Sequence, residues 1–238
     1  MKKLRTEEKP ALRLLKKAVA KSRAKSTARP AAAAPILPDI RLGGTSRSLR
    51  ELDAATHRLT ARRQRDALPG RIATKRLVLR APMRGDVPDL VRLADNKTIA
   101  DRLARLPHPY TRADAIGFIE ILAQRPDERP YAITLDDHLI GVIGFSFGEG
   151  KPPELGYWLG EPFWGKGYMT EAGKALIEAA QKTGQFDLVA ARALASNDGS
   201  LNVLKKLGFK QTGKGKAELG INIGKPIIKL ELKRPRWM

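Results

Sequence analysis

The fold is decided by a loop that enters a helix at Glu161–Leu176, with the sequence EPFWGKGYMTEAGKAL. Apolar residues recur at helical spacing after the loop, Thr170 is a residue type that caps helices, and Glu171 falls in the first turn. Gly165 and Gly167 therefore lie just before a helix N-terminus. Such a loop presents unpaired N–H groups to a ligand, and phosphate is the usual occupant. The alternative is a tight turn that needs glycine only for its backbone angles.

Composition excludes several classes of site. The chain of 238 residues has no cysteine, which rules out disulfides, thiolate metal sites and a cysteine nucleophile. The three histidines, His57, His108 and His138, are too scattered for a zinc cluster, so we predict no metal. No apolar run approaches the roughly 18–20 residues of a membrane span, and no secretory apolar core follows the N-terminus. We expect a soluble, cytoplasmic protein with no membrane partner.

Positive charge is concentrated in the first third of the chain. Residues 1–70 contain 18 Lys and Arg against 6 Asp and Glu, within a total net charge of +20. We interpret residues 1–69 as a basic arm with a stiff linker, ARPAAAAPILPD, and a helix at 46–66. That helix either docks on the following domain or remains part of the arm. The arm is expected to bind ribosomes or RNA without sequence readout, through charge alone.

From residue 70 to 238 the pattern alternates between strands and helices, which predicts one α/β (α+β) domain. A hairpin joined at Asp136 and Asp137 is predicted between YAITL and HLIGVIGFSF. The other predicted strands are TKRLVLR, PELGYWLG, FDLVAARAL and KPIIKLELK. The predicted helices are Asp86–Ala94, Thr111–Ala123, one from Thr170 to about Lys182, and SLNVLKKL.

Four stretches together resemble the GNAT acyltransferase superfamily, specifically its RimJ/RimL-type branch of ribosomal-protein N-terminal acetyltransferases. They are TKRLVLR, ELGYWLG, WGKGYMTEA and NDGSLNVLKKLGF, in the family's order over Thr74–Phe209. The resemblance implies a central mixed, mostly antiparallel sheet with helices on both faces, splayed at the fourth strand. It also implies acetyl-CoA as acyl donor and a protein N-terminal α-amine as acceptor.

Under this resemblance the glycine loop wraps the pyrophosphate of acetyl-CoA. Trp164 and Met169 stand where the family usually has Arg or Gln and Gly or Ala, respectively. Lys166 either pairs with a phosphate or is simply solvated. The residues implied to contact the cofactor here are Trp164, Gly165, Lys166, Gly167, Tyr168, Met169 and Thr170.

The resemblance also implies the catalytic groups. A free backbone N–H around Tyr157, Trp158 and Leu159 would polarise the thioester carbonyl along the splayed strand. Glu154, on the same strand, is the candidate general base, acting through water, or else an exposed strand-start carboxylate with a salt-bridge partner. Ser200 is the family-matched acid and Tyr157 the other hydroxyl that could serve. Asn197 would bind the pantetheine arm, although Asn197 and Ser200 also suit helix capping.

Few recognisable motifs occur in the regions expected to form the acceptor site. His108, between two prolines in LPHPYT, is the candidate substrate-binding residue. Two alternatives to protein N-terminal acetylation stay open. One is acetylation of a small amine, and the other is a basic RNA- or ribosome-binding factor with a non-catalytic GNAT-like domain.

Overall fold

The computed structural model describes residues 45–234, with side chains from Leu52 onward. The predictions for residues 1–44 lie outside the described residues. The domain boundary at 69/70 stays a prediction. No helix within the described range is long and apolar enough to cross a membrane.

A single eight-stranded sheet organises the described chain, in the order β1-β2-β3-β4-β5-β6-β8-β7. All neighbouring strands are antiparallel except β5 and β6, which run parallel and share one registered pair, Glu154 with Ala190. The sheet therefore splays between β5 and β6. The strands are β1 Arg71–Ala73, β2 Val78–Arg80, β3 Glu128–Leu135, β4 His138–Ser146, β5 Glu154–Leu159, β6 Leu188–Leu194, β7 Lys210–Lys216 and β8 Pro226–Lys233.

The predicted fold class is confirmed, with one shift in strand numbering. The splayed strand is the fifth rather than the fourth, because the short strand β1 precedes β2 and pairs with it. The stretch TKRLVLR contributes only Val78–Arg80 to the sheet. Strand β7 was not predicted, since its sequence KQTGKGK lacks apolar alternation.

Helices cover both faces of the sheet. Thr111 and Asp114 form a capping box at the start of α4, as their spacing predicts. The short helix α3 has no counterpart in the sequence prediction. The helices are α1 Thr45–Ala67, α2 Val87–Ala94, α3 Lys97–Ala100, α4 Arg112–Glu120, α5 Tyr168–Lys182 and α6 Asp198–Lys206, with 3-10 turns at Arg84–Asp86, Leu122–Gln124, Glu161–Phe163 and Gly220–Asn222.

Alternating side chains of the central strands pack into two separate hydrophobic cores. Ile143 and Phe145 of β4 pack in the larger core, which includes Leu176 of α5. Val142 of the same strand packs in the smaller core, which includes Leu90 of α2. Because successive side chains of a strand point to opposite faces, one apolar strand supports helices on both sides.

Helix α1 docks on the domain, which decides between the two alternatives left open for it. Gln64 Nε2 donates to the Gln185 carbonyl at 2.8 Å, and Arg65 Nε donates to the Glu128 carbonyl at 3.2 Å. Leu68, directly after the helix, is buried. The β3–β4 hairpin turns at Asp136 and Asp137 as predicted.

Candidate active site

The loop before α5 has the backbone conformation that its glycines permit. Gly165 and Gly167 have φ of +75° and +79°, in the left-handed region that favours glycine. Gly167 is the N-cap of α5, and the helix begins at Tyr168. The prediction that Thr170 caps the helix is therefore wrong. The left-handed Gly167 starts the helix earlier, so Thr170 becomes its third residue.

A row of unused backbone donors follows from this geometry. None of the N–H groups of residues 165–170 donates to an acceptor among the described residues. The first N–H groups of any helix lack partners within the helix, and here the preceding loop adds its own. The helix dipole makes this row electropositive, so the loop is suited to an anion.

A brace behind the loop was not foreseen from the sequence. Glu171 accepts hydrogen bonds from Thr74 Oγ1 at 2.7 Å, Arg76 N at 2.9 Å and Arg76 Nε at 2.7 Å. Arg76 Nη1 also donates to the Lys166 carbonyl at 3.1 Å, and its guanidinium lies 4.4 Å from the centre of the Tyr168 ring. The turn before β2 is thereby tied to both the loop and the first turn of α5.

Trp164 fixes the other end of the loop. Its Nε1 donates to the Leu159 carbonyl at the end of β5, at 2.7 Å. The Arg102 guanidinium lies 5.1 Å from the centre of the Trp164 ring. Lys166 Nζ lies 5.9 Å from the centre of the Phe163 ring, so the lysine covers an aromatic side chain beside the loop. Trp164 thus links the loop to β5.

Two backbone N–H groups of β5 face the splay. Gly160 N donates to the Ile140 carbonyl, so alternate residues, including Trp158, direct their N–H groups towards β4. The N–H groups of Tyr157 and Leu159 consequently point towards β6. Since β6 pairs with β5 only at Glu154, these two groups lie at the open part of the sheet. The N–H of Trp158 is not available to a ligand at this opening, so only its side chain can contact one.

Tyr157 and Ser200 meet across the same gap. Their hydroxyl oxygens are 3.0 Å apart, and the Tyr157 hydroxyl also donates to the Ser200 carbonyl at 3.1 Å. Burial raises the pKa of Tyr157 to about 12, against a smaller opposing effect of the Ser200 hydrogen bond. Asn197 is the N-cap of α6, and its Oδ1 accepts from Ser200 N at 3.1 Å. The capping expectation for Asn197 is therefore confirmed.

Glu154 forms an ion pair with Arg192 on the neighbouring strand β6. Its Oε1 accepts from Arg192 Nε at 2.7 Å, and its side chain is 31% exposed. The salt-bridge partner expected for Glu154 is thus present, and its role as general base stays a prediction. By strand alternation Glu154 shares a face with Trp158, whereas Tyr157 lies on the face that carries α6.

These groups border one cleft of about 890 Å³ that reaches both faces of the sheet at the splay. On the side of α5 and α6 its lining includes Gly167, Asn197 and Ser200. On the opposite side the lining includes Arg102 and Phe118. A ligand that enters from one face can therefore meet a second ligand that enters from the other.

His108 does not line this cleft. Its Nδ1 lies 3.1 Å from Asp95 Oδ1, and Asp95 also accepts from Tyr110 N at 3.0 Å. His108 therefore orders the loop before α4, and its substrate role stays a prediction. No group of three or more potential metal ligands occurs among residues 45–234.

Comparison with known proteins assigns the family. A family model described as an acetyltransferase (GNAT) domain matches residues 76–210, more than half of the chain. The chain belongs to the GNAT acetyltransferase family. The matched range contains the glycine loop, the splayed strand β5 and the start of α6.

Relatives agree with the RimJ/RimL-type branch within the GNAT family, which confirms that resemblance. The ribosomal-protein-serine acetyltransferase of Escherichia coli K12 is 34% identical over 91 residues, 37% of this chain and 51% of that protein. The chain thus spans about half the length of this curated relative.

Two solved structures share the GNAT fold. A RimL ribosomal L7/L12 α-N-protein acetyltransferase in complex with coenzyme A is 24% identical, with a TM-score of 0.62 over 68% of this chain and 97% of that one. Mycobacterium smegmatis RimJ, in complex with a CoA disulfide, is 18% identical, with a TM-score of 0.63 over 70% and 88%. At these identities the likeness concerns the fold.

Proposed function

We propose that the chain is an acetyl-CoA-dependent N-acetyltransferase that acetylates a primary amine, with a protein N-terminal α-amine as its preferred acceptor. One observation carries the proposal. The unused N–H groups of Gly165 and of residues 167–170 border the same cleft as the open N–H groups of Tyr157 and Leu159. An anion site beside a carbonyl-binding strand suits an acyl donor that carries a pyrophosphate.

The loop would hold the donor by its phosphates. The left-handed glycines keep side chains away from the approach, and the N-terminus of α5 favours negative charge. Lys166 would add a cation to the same loop. At the other end of the cleft, the cap uses Oδ1 of Asn197 and leaves its Nδ2 as a donor for the pantetheine arm.

The chemistry needs a polarised carbonyl and a protonated leaving group. The acceptor nitrogen attacks the thioester carbonyl in a ternary complex, a C–N bond forms, and the C–S bond breaks as the thiolate leaves. The N–H groups of Tyr157 and Leu159 would stabilise the oxyanion. The Tyr157 hydroxyl, whose pKa burial raises to about 12, stays protonated well above neutral pH and would give its proton to sulfur. Ser200 orients that hydroxyl at 3.0 Å.

The acceptor amine must lose a proton before or during attack. Glu154 reaches the cleft from the face opposite Tyr157 and would receive this proton through a water molecule. Its ion pair with Arg192 holds the carboxylate at the edge of the cleft. An α-amino group, with a reference pKa of about 8, is neutral more often than a lysine side chain at about 10.4. This difference favours a chain terminus as acceptor.

The names of the relatives support a ribosomal-protein acceptor. One relative is called a ribosomal-protein-serine acetyltransferase. The net charge of +12 in residues 1–70 supports a non-specific contact with ribosomes or RNA that would bring the enzyme close to such acceptors. A cytoplasmic location belongs to the same proposal.

Mass spectrometry of paired peptides tests the acceptor directly. One peptide has a free α-amine and no lysine, and its partner has a blocked N-terminus and a single lysine. We expect acetylation of the first and little of the second. Acetylation of lysine alone would contradict the α-amine assignment, and acetylation of small amines alone would favour the small-molecule alternative.

A further inference from the structure

We infer that Arg76 is a positioning residue for the loop before α5, and that it keeps the row of N–H groups at residues 165–170 open to an anion. The inference rests on the proposed function, because it concerns how the donor site of that function is kept available. Arg76 acts on two neighbours, the Lys166–Gly167 peptide and the Glu171 carboxylate.

The first action fixes a peptide plane. Arg76 Nη1 donates to the Lys166 carbonyl at 3.1 Å. In a trans peptide the carbonyl of one residue and the N–H of the next point in opposite directions. Holding the Lys166 carbonyl towards Arg76 therefore turns the Gly167 N–H away from Arg76. That N–H is one of the groups without an acceptor among the described residues.

The second action restrains a competing anion. Glu171 lies in the first turn of α5, where a carboxylate is attracted to the N–H groups of its own helix. The backbone N–H and Nε of Arg76, together with Thr74 Oγ1, bind this carboxylate instead. Burial raises the pKa of Glu171, but these hydrogen bonds outweigh it and leave the pKa below its ordinary value. The negative charge of Glu171 is thus held away from the N–H groups of residues 165–170.

The same guanidinium is also fixed in orientation. It lies 4.4 Å from the centre of the Tyr168 ring, the first residue of α5. The Arg76 side chain is 40% exposed, so its removal leaves no cavity in either core. A loss of ligand affinity without a loss of fold is therefore the expected signature of a positioning role.

Calorimetric titration with CoA tests the inference in the full-length chain. Arg76→Gln should weaken CoA binding about tenfold, the scale of one lost charged hydrogen bond. Arg84→Gln is the matched control, because Arg84 makes a similarly short ion pair with Glu120, at 2.6 Å, on an exposed surface. The control should bind CoA as the wild type does. Thermal melting of each variant reports whether it is folded.

A double variant separates charge from geometry. Arg76→Gln combined with Glu171→Gln should bind CoA more tightly than Arg76→Gln alone. In the single variant Glu171 keeps only its hydrogen bonds from Thr74 Oγ1 and from the backbone N–H of residue 76, so its carboxylate is less restrained and competes for the N–H groups. In kinetics, Arg76→Gln should raise KM for acetyl-CoA and leave kcat within about twofold, since Arg76 touches no reacting atom. A fall in kcat at unchanged KM would contradict the positioning role.

Different results would overturn the role of Arg76 and the proposed function. Wild-type affinity in folded Arg76→Gln would overturn the inference alone, and a double variant no tighter than the single one would overturn the role of Glu171 as competitor. Absence of CoA binding by the wild type would overturn the proposed function and this inference with it.

Discussion

The hydroxyl oxygens of Tyr157 and Ser200 lie 3.0 Å apart at the point where the sheet opens, although the residues are 43 positions apart in the chain. Tyr157 comes from the splayed strand β5 and Ser200 from the first turn of α6. Because α6 packs beside the opening, the fold brings a protonated phenol to the place where the proposed reaction releases a thiolate.

Replacement of Tyr157 by phenylalanine should lower kcat about 100-fold, the lower range for loss of a general acid, with little change in KM for acetyl-CoA. Initial-rate kinetics with a saturating peptide measure both constants. Tyr110→Phe is the matched control, since Tyr110 is also buried and its pKa is also raised to about 12, but it does not line the cleft. Equal effects of the two substitutions would argue against a catalytic Tyr157.

The value of kcat/KM should rise with pH and then stay level. Tyr157 is protonated, and so able to donate, below its raised pKa of about 12. The rate should therefore increase as the acceptor amine loses its proton, around its pKa of about 8, and should not fall again through about pH 10. Measurement of kcat/KM over this range checks the expectation. A falling limb near pH 9 that disappears in Tyr157→Phe would contradict it.

Gly167→Val should abolish measurable CoA binding. A β-branched residue is strained at φ of +79°, and its Cβ would lie 3.6 Å from Nη2 of Arg76, the guanidinium that holds the Lys166 carbonyl. Gly184→Val is a control at the other end of the same helix, with a similar φ of +72°. Calorimetry should show wild-type CoA affinity for the control. Unchanged affinity in folded Gly167→Val would exclude this loop as the phosphate site.

Local sequence pattern predicted this loop, because two glycines and the following helix lie within one short stretch. It could not predict the brace behind the loop, since Arg76 and Glu171 are 95 residues apart and a charged pair leaves no periodic signal. The Thr170 cap was misassigned for a related reason. Residue type indicates a possible cap, but the left-handed backbone of Gly167 decides where the helix begins.

The fold was predictable where apolar alternation was strong. Strands β3, β4 and β5 lie in the core and match their predicted stretches, whereas the edge strand β7 consists of lysine, glycine and polar residues. The position of His108 depended on tertiary contacts. The His108 side chain is placed by its contact with the Asp95 carboxylate, and no sequence pattern indicated that contact.

Glu154→Gln should lower kcat/KM most at low pH, where the acceptor amine is most often protonated and a proton acceptor matters most. An effect of about 100-fold at the low end of the profile is expected if Glu154 is the base. Glu178→Gln, on the exposed face of α5, is the matched control. An equal fall in kcat/KM at every pH would instead indicate that Glu154 has a structural role, through its ion pair with Arg192.

Removal of residues 1–43 should abolish salt-sensitive co-sedimentation with ribosomes and leave peptide turnover within about twofold. This segment contains 12 Lys and Arg against 3 Asp and Glu. The cut is placed before α1, because Gln64 and Arg65 attach that helix to the domain. A full-length variant with the 12 basic residues of this segment replaced by glutamine is the control for charge. Unchanged co-sedimentation of either protein would exclude tethering by this segment.

The most direct measurement is free-thiol release from acetyl-CoA, followed with a thiol-reactive dye in the presence of separate panels of N-terminal peptides and small amines. The chain contains no cysteine, so the protein adds no background signal. The account predicts thiol release with the peptides, with much slower release from Tyr157→Phe and none from Gly167→Val. Wild-type protein that binds CoA but releases no thiol with either panel would contradict the proposed acetyltransferase activity.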